Sequence, residues 1–289
     1  MTKDGSKVAL ITGATSGIGA VTALELARLG YNVVGVGRSE RECFRMTQRI
    51  RNATGNGSVE FLPTDLSSQS EVRDLAKRLN LFSDRLDVLV NNAGGYFAKR
   101  QVSVDGIEMT FALNHLAYMQ LTMLLLERLK VASGARIVNV ASAAHRGASI
   151  DFEDLLGEKQ YDRLIAYRQS KLANILFTYE LARRLQGSKV TVNALHPGVV
   201  RTNLGANNGW LRARVRNIVM RRMISPGEGA KTSIYLASSP DVEGITGKYF
   251  IDCCETPSSP ASYDQEVAAH LWDVSMKLLG LREEISVVD

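Results

Sequence analysis

The chain predicts a doubly wound α/β fold, a parallel sheet of about seven strands covered by helices on both faces. Three observations carry this. Val8-Ala9-Leu10-Ile11-Thr12 reads as a short buried strand and runs straight into the glycine-rich turn Gly13-Ala14-Thr15-Ser16-Gly17-Ile18-Gly19. A helical pattern follows at once, with Val21, Leu24, Ala27 and Leu29 on its apolar side and Gly30 ending it. From there strand and helix patterns alternate along the chain without an internal repeat, the order in which helical crossovers join parallel strands.

Each later element rests on the same periodicities. Asn32-Val33-Val34-Gly35-Val36-Gly37 is the second strand, followed by a helix from Ser39 to Ala53, a strand from Val59 to Leu62 and a helix from Gln69 to Phe82. Asp87-Val88-Leu89-Val90-Asn91 makes the fourth strand, a long helix covers Gly106 to Lys130, and Ala135 to Val140 the fifth strand. A helix containing Tyr167 runs to Leu185, Val190 to Leu195 is the sixth strand and Lys248 to Ile251 the seventh. The turn Thr256-Pro257-Ser258-Ser259-Pro260 then leads, in a carboxyl-terminal extension over 256–289, into a helix with Leu271, Trp272, Met276 and Leu279 on its packing side. No polar linker interrupts the chain, so residues 1–289 are expected to form one domain.

Composition narrows the classes. Apolar residues make up 45% and charged residues 22% of 289, ordinary for a globular protein with a large core. The net charge of +5 is modest and its basic residues are spread among acidic ones, so nucleic acid is not implied. Met1 to Lys7 is polar, unlike a signal peptide, and no run is long enough to span a bilayer; the most apolar stretch, around Leu121 to Leu126, is bracketed by Gln120 and Glu127 and reads as a buried helix. Cys43, Cys253 and Cys254 form no disulfide framework, and His115, His145 and His196 are not spaced as metal ligands. A cytoplasmic protein without a metal is expected.

The glycine turn has a physical use. Glycines allow the backbone close to a pyrophosphate, and the free N–H groups at the following helix start offer it hydrogen bonds and partial positive charge, so the unit reads as a Rossmann-type dinucleotide site. Its spacing is Gly-xxx-Gly-x-Gly, which leaves a ligand-free hairpin as the bland reading. At the end of the second strand Gly37 supplies no carboxylate for a ribose 2′-hydroxyl, and Arg38 follows, with Arg41 one turn later. A guanidinium there suits a 2′-phosphate, which favours NADP(H) over NAD(H). Tyr167 and Lys171 are four residues apart on a helix and share a face; a nearby cation lowers a phenol pKa from ~10, which would make Tyr167 a proton donor and acceptor near neutral pH.

These motifs together resemble the short-chain dehydrogenase/reductase family, and the resemblance covers essentially the whole chain. Thr12 to Gly19 is similar to the family's cofactor turn, including Gly13, Thr15, Ser16, Gly17, Ile18 and Gly19; Asn91-Asn92-Ala93-Gly94 to its fourth-strand motif; and Tyr167 with Lys171 to its active-site pair. The resemblance implies a catalytic tetrad of Asn114, Ser142, Tyr167 and Lys171. It implies adenine contacts from Asp65 and Leu66, cofactor contacts from Asn92, Ala93 and Gly94, and a nicotinamide-end segment His196-Pro197-Gly198-Val199-Val200-Arg201-Thr202, in which Pro197, Gly198, Val200 and Thr202 touch the cofactor. In this picture Ser142 donates to the substrate oxygen, Lys171 depresses the phenol pKa and holds the nicotinamide ribose, and Asn114 anchors a water linking Lys171 to solvent.

The stretch from Ser142 to Tyr167, with Ser170-Lys171-Leu172-Ala173-Asn174 and the His196 segment, looks most like the retinol dehydrogenase-like subgroup. That implies an NADP(H)-dependent oxidoreductase acting on an apolar alcohol, aldehyde or ketone. The arginine-rich, apolar stretch Trp210 to Met223 corresponds to a substrate lid over 203–225, with peripheral membrane contact as its secondary reading. Two matters stay open in the residues themselves: a homo-oligomeric state, and a non-catalytic nucleotide sensor or scaffold that keeps the fold.

Overall fold

Strand residues alternate between two apolar layers, and this alternation sets the architecture of the computed structural model, which describes residues 5–79, 81–200 and 223–281. In β1 (Val8–Thr12), Val8 and Leu10 pack into one core cluster while Ala9 and Ile11 pack into the other. The first face is covered by α3 (Gln69–Leu79), α4 (Met109–Val131), α5 (Arg163–Arg184) and α7 (Gln265–Leu279), through residues such as Leu75, Leu121, Leu176 and Trp272. The second is covered by α1 (Gly17–Arg28), α2 (Glu40–Thr54) and α6 (Pro226–Ser238), through Leu26, Ile50 and Leu236.

The remaining strands are β2 (Asn32–Gly37), β3 (Val59–Pro63), β4 (Val88–Asn91), β5 (Arg136–Val140), β6 (Thr191–His196), β7 (Tyr249–Ile251) and β8 (Cys254–Glu255). They form one sheet in the order β3-β2-β1-β4-β5-β6-β7-β8. Every neighbouring pair up to β7 is parallel. The order reverses between β1 and β4, and ligands bind at such a switch point, beyond the carboxyl ends of the strands.

The expected class stands, with differences of detail. The sheet has eight strands rather than seven: β8 returns antiparallel to β7 through a two-residue turn in which Asp252 and Cys253 take φ of 50° and 63°. No glycine or asparagine announces that turn, so the sequence hides it. The helix expected from Gly106 begins at Met109, because Glu108 caps it by accepting from the Thr110 and Phe111 N–H groups. Helix α3 stops at Leu79 instead of Phe82. Helix α6 is an addition to the expected elements; Ser225 and Glu228 form a reciprocal capping box with Pro226 just inside it. Against the expectation that no run could span a bilayer, α4 is long and apolar enough by length and composition, yet 78% of its apolar window lies buried inside the protein, as befits a core helix.

Candidate active site

A cavity of about 620 Å3 opens at the switch point between β1 and β4. Its floor begins with the glycine turn. Gly13 and Gly17 have φ of 63° and 56°, a region that side chains disfavour. A Cβ on Gly19 would sit 2.5 Å from the Gly13 carbonyl oxygen, so this third glycine is required by packing of helix against turn rather than by the cavity, which it does not line. The Ser16 side chain makes no capping bond, leaving the first N–H groups of α1 uncapped where Ser16, Gly17 and Ile18 line the cavity. Thr12 Oγ1 accepts from the Asn92 and Ala93 N–H groups (2.8 and 3.0 Å), and Asn92 Nδ2 donates to the Thr12 carbonyl (2.8 Å), which ties the turn to the end of β4.

At one end Val36, Gly37, exposed Arg38, Thr64 and Leu66 form the wall. Asp65 is not on it: its Oδ1 accepts from the Ser67 N–H and hydroxyl (2.9 and 2.8 Å). Arg41 also lies off the lining. At the other end stand Gly94, Tyr96, Leu113, Ser142, Tyr167, Lys171, His196 and the Pro197–Val200 segment. Thr202 and the 203–222 part of the expected 203–225 lid fall outside the described residues. The segment's described ends meet: the Ile224 N–H donates to the Val199 carbonyl (3.0 Å), and Met223, Val199 and Val200 all line the cavity.

Ser142 follows β5 and opens a tight turn over Ala143–His145; its hydroxyl accepts from the Ala144 N–H (3.1 Å), and it lines the cavity together with Tyr167. It therefore caps the turn and shares the cavity wall with the phenol. Lys171 is buried, donates to the Val140 carbonyl (3.1 Å) and holds Nζ 5.8 Å from the Tyr167 ring centroid. Burial disfavours both charged forms. It pulls the Lys171 pKa down to about 8 and raises that of Tyr167, with the Ser142 hydroxyl the opposing influence. In the protein alone the phenol is thus shifted up by burial and not down as expected from Lys171.

Asn114 sits in a π-helical turn of α4 (Ala112–Leu116), fully buried and off the cavity lining. Its Nδ2 donates to the Gly95 carbonyl and Ser170 Oγ (both 3.0 Å), and its Oδ1 accepts from the Gly95 N–H (2.7 Å). Both donors being spent, the side chain clamps the 94–95 loop to α5. Gly94 makes room for this: a Cβ there would stand 3.3 Å from Asn114 Oδ1 and 3.6 Å from Lys171 Nζ. Tyr96, edge-on to Tyr167 at 5.6 Å between centroids, was not read from the sequence, although it follows directly on the Asn92-Ala93-Gly94-Gly95 run.

A close glycine turn, an uncapped helix start and an elongated cavity suit a dinucleotide at one end and leave a phenol, a hydroxyl and an ammonium at the other. Comparison with known proteins agrees. The short chain dehydrogenase family model matches residues 7–210. Retinol dehydrogenase 14 of Mus musculus is 46% identical over 288 residues, covering 95% of this chain and 86% of that protein. Retinol dehydrogenase 12 of Homo sapiens is 43% identical over 283 residues, covering 96% and 88%. Among solved structures, an uncharacterized protein from Mycobacterium Paratuberculosis superposes with a TM-score of 0.78 at 34% identity, covering 96% of this chain and 94% of that one. The Pseudomonas aeruginosa RhlG/NADP active-site complex gives 0.66 at 29%, covering 90% and 96%.

Proposed function

The chain belongs to the short-chain dehydrogenase family, in its retinol dehydrogenase-like subgroup, as an NAD(P)-dependent oxidoreductase acting on CH-OH donors, and we propose that it works with NADP(H) on an apolar alcohol, aldehyde or ketone. The observation that carries the reading is the meeting of Ser142, Tyr167 and Lys171 on the wall of one cavity whose other end is the glycine turn and Arg38. Gly13, Thr15, Ser16, Gly17 and Ile18 would hold the pyrophosphate, Arg38 the 2′-phosphate, and Asn92 to Gly94 with Pro197 to Val200 the nicotinamide end. When bound, the cofactor supplies or accepts the hydride.

The residues manage the rest. Tyr167 gives its proton to the substrate oxygen in reduction and takes it back in oxidation. Ser142, its lone pair held by the Ala144 N–H, turns its hydrogen toward the oxygen as negative charge grows there. Lys171 presents a cation behind the phenol that stabilises the phenolate left after proton transfer. Asn114 fixes the loop that packs against Lys171 and thereby the position of both. Tyr96, Leu113, Val199 and Met223 give the substrate end an aromatic and aliphatic lining, which supports an apolar substrate and a covering role for the segment between Val200 and Met223.

One experiment tests this. Purified protein is assayed with NADPH against a panel of apolar aldehydes and ketones, following nicotinamide absorbance, beside Tyr167→Phe and Arg38→Ala. The phenylalanine variant should lose roughly 10²- to 10⁴-fold in kcat with NADPH still bound. Arg38→Ala should weaken NADPH binding by roughly ten- to a hundredfold and NADH hardly at all; equal losses would remove the NADP(H) preference. Tight NADPH binding with no turnover of any substrate would favour the sensor.

A further inference from the structure

Between Ser142 and the carboxyl-terminal segment lies a histidine that the reaction itself does not require. His145 is fully buried, closes the turn that Ser142 opens and rests edge-on against the Tyr249 ring at 5.1 Å between centroids. Both ring nitrogens are engaged. Nε2 lies 3.0 Å from the Ser259 backbone nitrogen, which can only donate, so Nε2 must be the acceptor. The proton of the neutral ring then resides on Nδ1, which donates to the Ser142 carbonyl at 2.6 Å. The ring reads the same way from its surroundings: burial and the neighbouring Arg146 hold its pKa below the ordinary value and keep it neutral.

The turn is gripped from two sides. Arg168, the residue after Tyr167, donates to the Ala144 and Arg146 carbonyls (3.3 and 2.7 Å). Arg146 reaches across to the Pro257 carbonyl (3.1 Å), beside the Ser259 contact. Arg168 therefore references the turn to the helix of the phenol, and His145 references it to the 257–259 turn. We propose that His145 is a positioning residue, a neutral Nδ1–H tautomer that bridges the Ser259 N–H to the Ser142 carbonyl and so fixes the direction of the Ser142 hydroxyl toward substrate. The proposal rests on the role given to Ser142 above. A group that acts by orientation alone can be costly to lose, since misplacement by about 1 Å can cost on the order of 10²-fold in rate.

The test is steady-state carbonyl reduction with NADPH for His145→Ala, His145→Asn and Ser259→Pro, each in wild-type and Ser142→Ala backgrounds, with the NADPH dissociation constant and melting temperature measured for every protein. His145→Ala should lower kcat by about tenfold or more while NADPH binding changes less than about twofold. His145→Asn, whose amide can stand where Nδ1–H stood, should recover most of that loss. Ser259→Pro removes the N–H donor, together with the buried Ser259 hydroxyl, at a residue whose φ of −73° proline accepts, and should lower kcat in the same direction by less. In the Ser142→Ala background none of these changes should lower kcat further. Wild-type kcat in His145→Ala, or equal additional losses in both backgrounds, would overturn the assignment of His145. A fully active Ser142→Ala would instead remove the premise, so the two failures are told apart.

Discussion

Burial acts on Lys171 and Tyr167 in opposite senses, lowering one pKa and raising the other. The lysine has a pKa of about 8 in the folded chain against an ordinary 10.5. Between those values the native state releases the proton while the unfolded chain keeps it, so the unfolded state binds more protons and stability rises with pH across that window. Below pH 8 the full penalty of a buried ammonium is present, about 3 kcal/mol at 1.36 kcal/mol per pKa unit, offset in part by the bond to the Val140 carbonyl. Lys171→Met should therefore abolish turnover, and its melting temperature relative to wild type should fall by several degrees between pH 7 and pH 10 as wild type sheds its penalty. Melts of the cofactor-free proteins across that range check this; a gap that stays constant or widens contradicts the desolvated lysine. The pair itself was legible as a spacing of four on a helix, but the sign of the phenol shift was not, since burial is a property of the packed molecule.

The glycine turn with α1 shows what a local pattern conveys and what it omits. Spacing of Gly13, Gly17 and Gly19 announces the turn, while only the structure reveals that Gly19 is there to let α1 lie on the Gly13 carbonyl. Gly19→Ala should push the helix off the turn, costing about 1 to 3 kcal/mol of stability by overpacking and weakening NADPH binding with it. Gly57→Ala, where a Cβ meets nothing, should change neither; fluorescence titration and melting curves on the two variants separate the cases, and an unchanged Gly19→Ala would show that the turn has slack. Strands and long helices were legible because their periods persist over a whole element. Helix α6 escaped because Pro226-Gly227-Glu228-Gly229 reads as a turn unless Ser225 and Glu228 are paired as a capping box. The grip of His145 on Ser259 was invisible for a different reason: 114 residues separate them, and no period links the two.

For the whole molecule, the carboxyl-terminal segment joins the core on the face that carries the catalytic helix. Trp272 stacks on Phe177 of α5 at 5.8 Å between centroids, the Arg184 guanidinium lies 4.4 Å over the indole, and His115 Nε2 meets Ser275 Oγ at 3.0 Å. Helix α7 ends against α3, where Arg73 donates to the Leu279 carbonyl (2.7 Å) and Gln69 to that of Leu278 (3.0 Å). Leu271, Trp272, Met276 and Leu279 are all buried there, and at roughly 1.5 to 3 kcal/mol for each large apolar side chain they contribute about as much as the 5 to 15 kcal/mol by which a typical protein is stable. A chain ending at Asp264 would expose α5 and α4 along the seam that positions Tyr167, Lys171 and Asn114. It should be unfolded or aggregated by circular dichroism and size-exclusion chromatography, and NADPH should not rescue it, because a ligand stabilises only a state that already binds it. A soluble, cooperatively melting product that still binds NADPH would instead make residues 265–289 a separable appendage and break the reading of 1–289 as one domain.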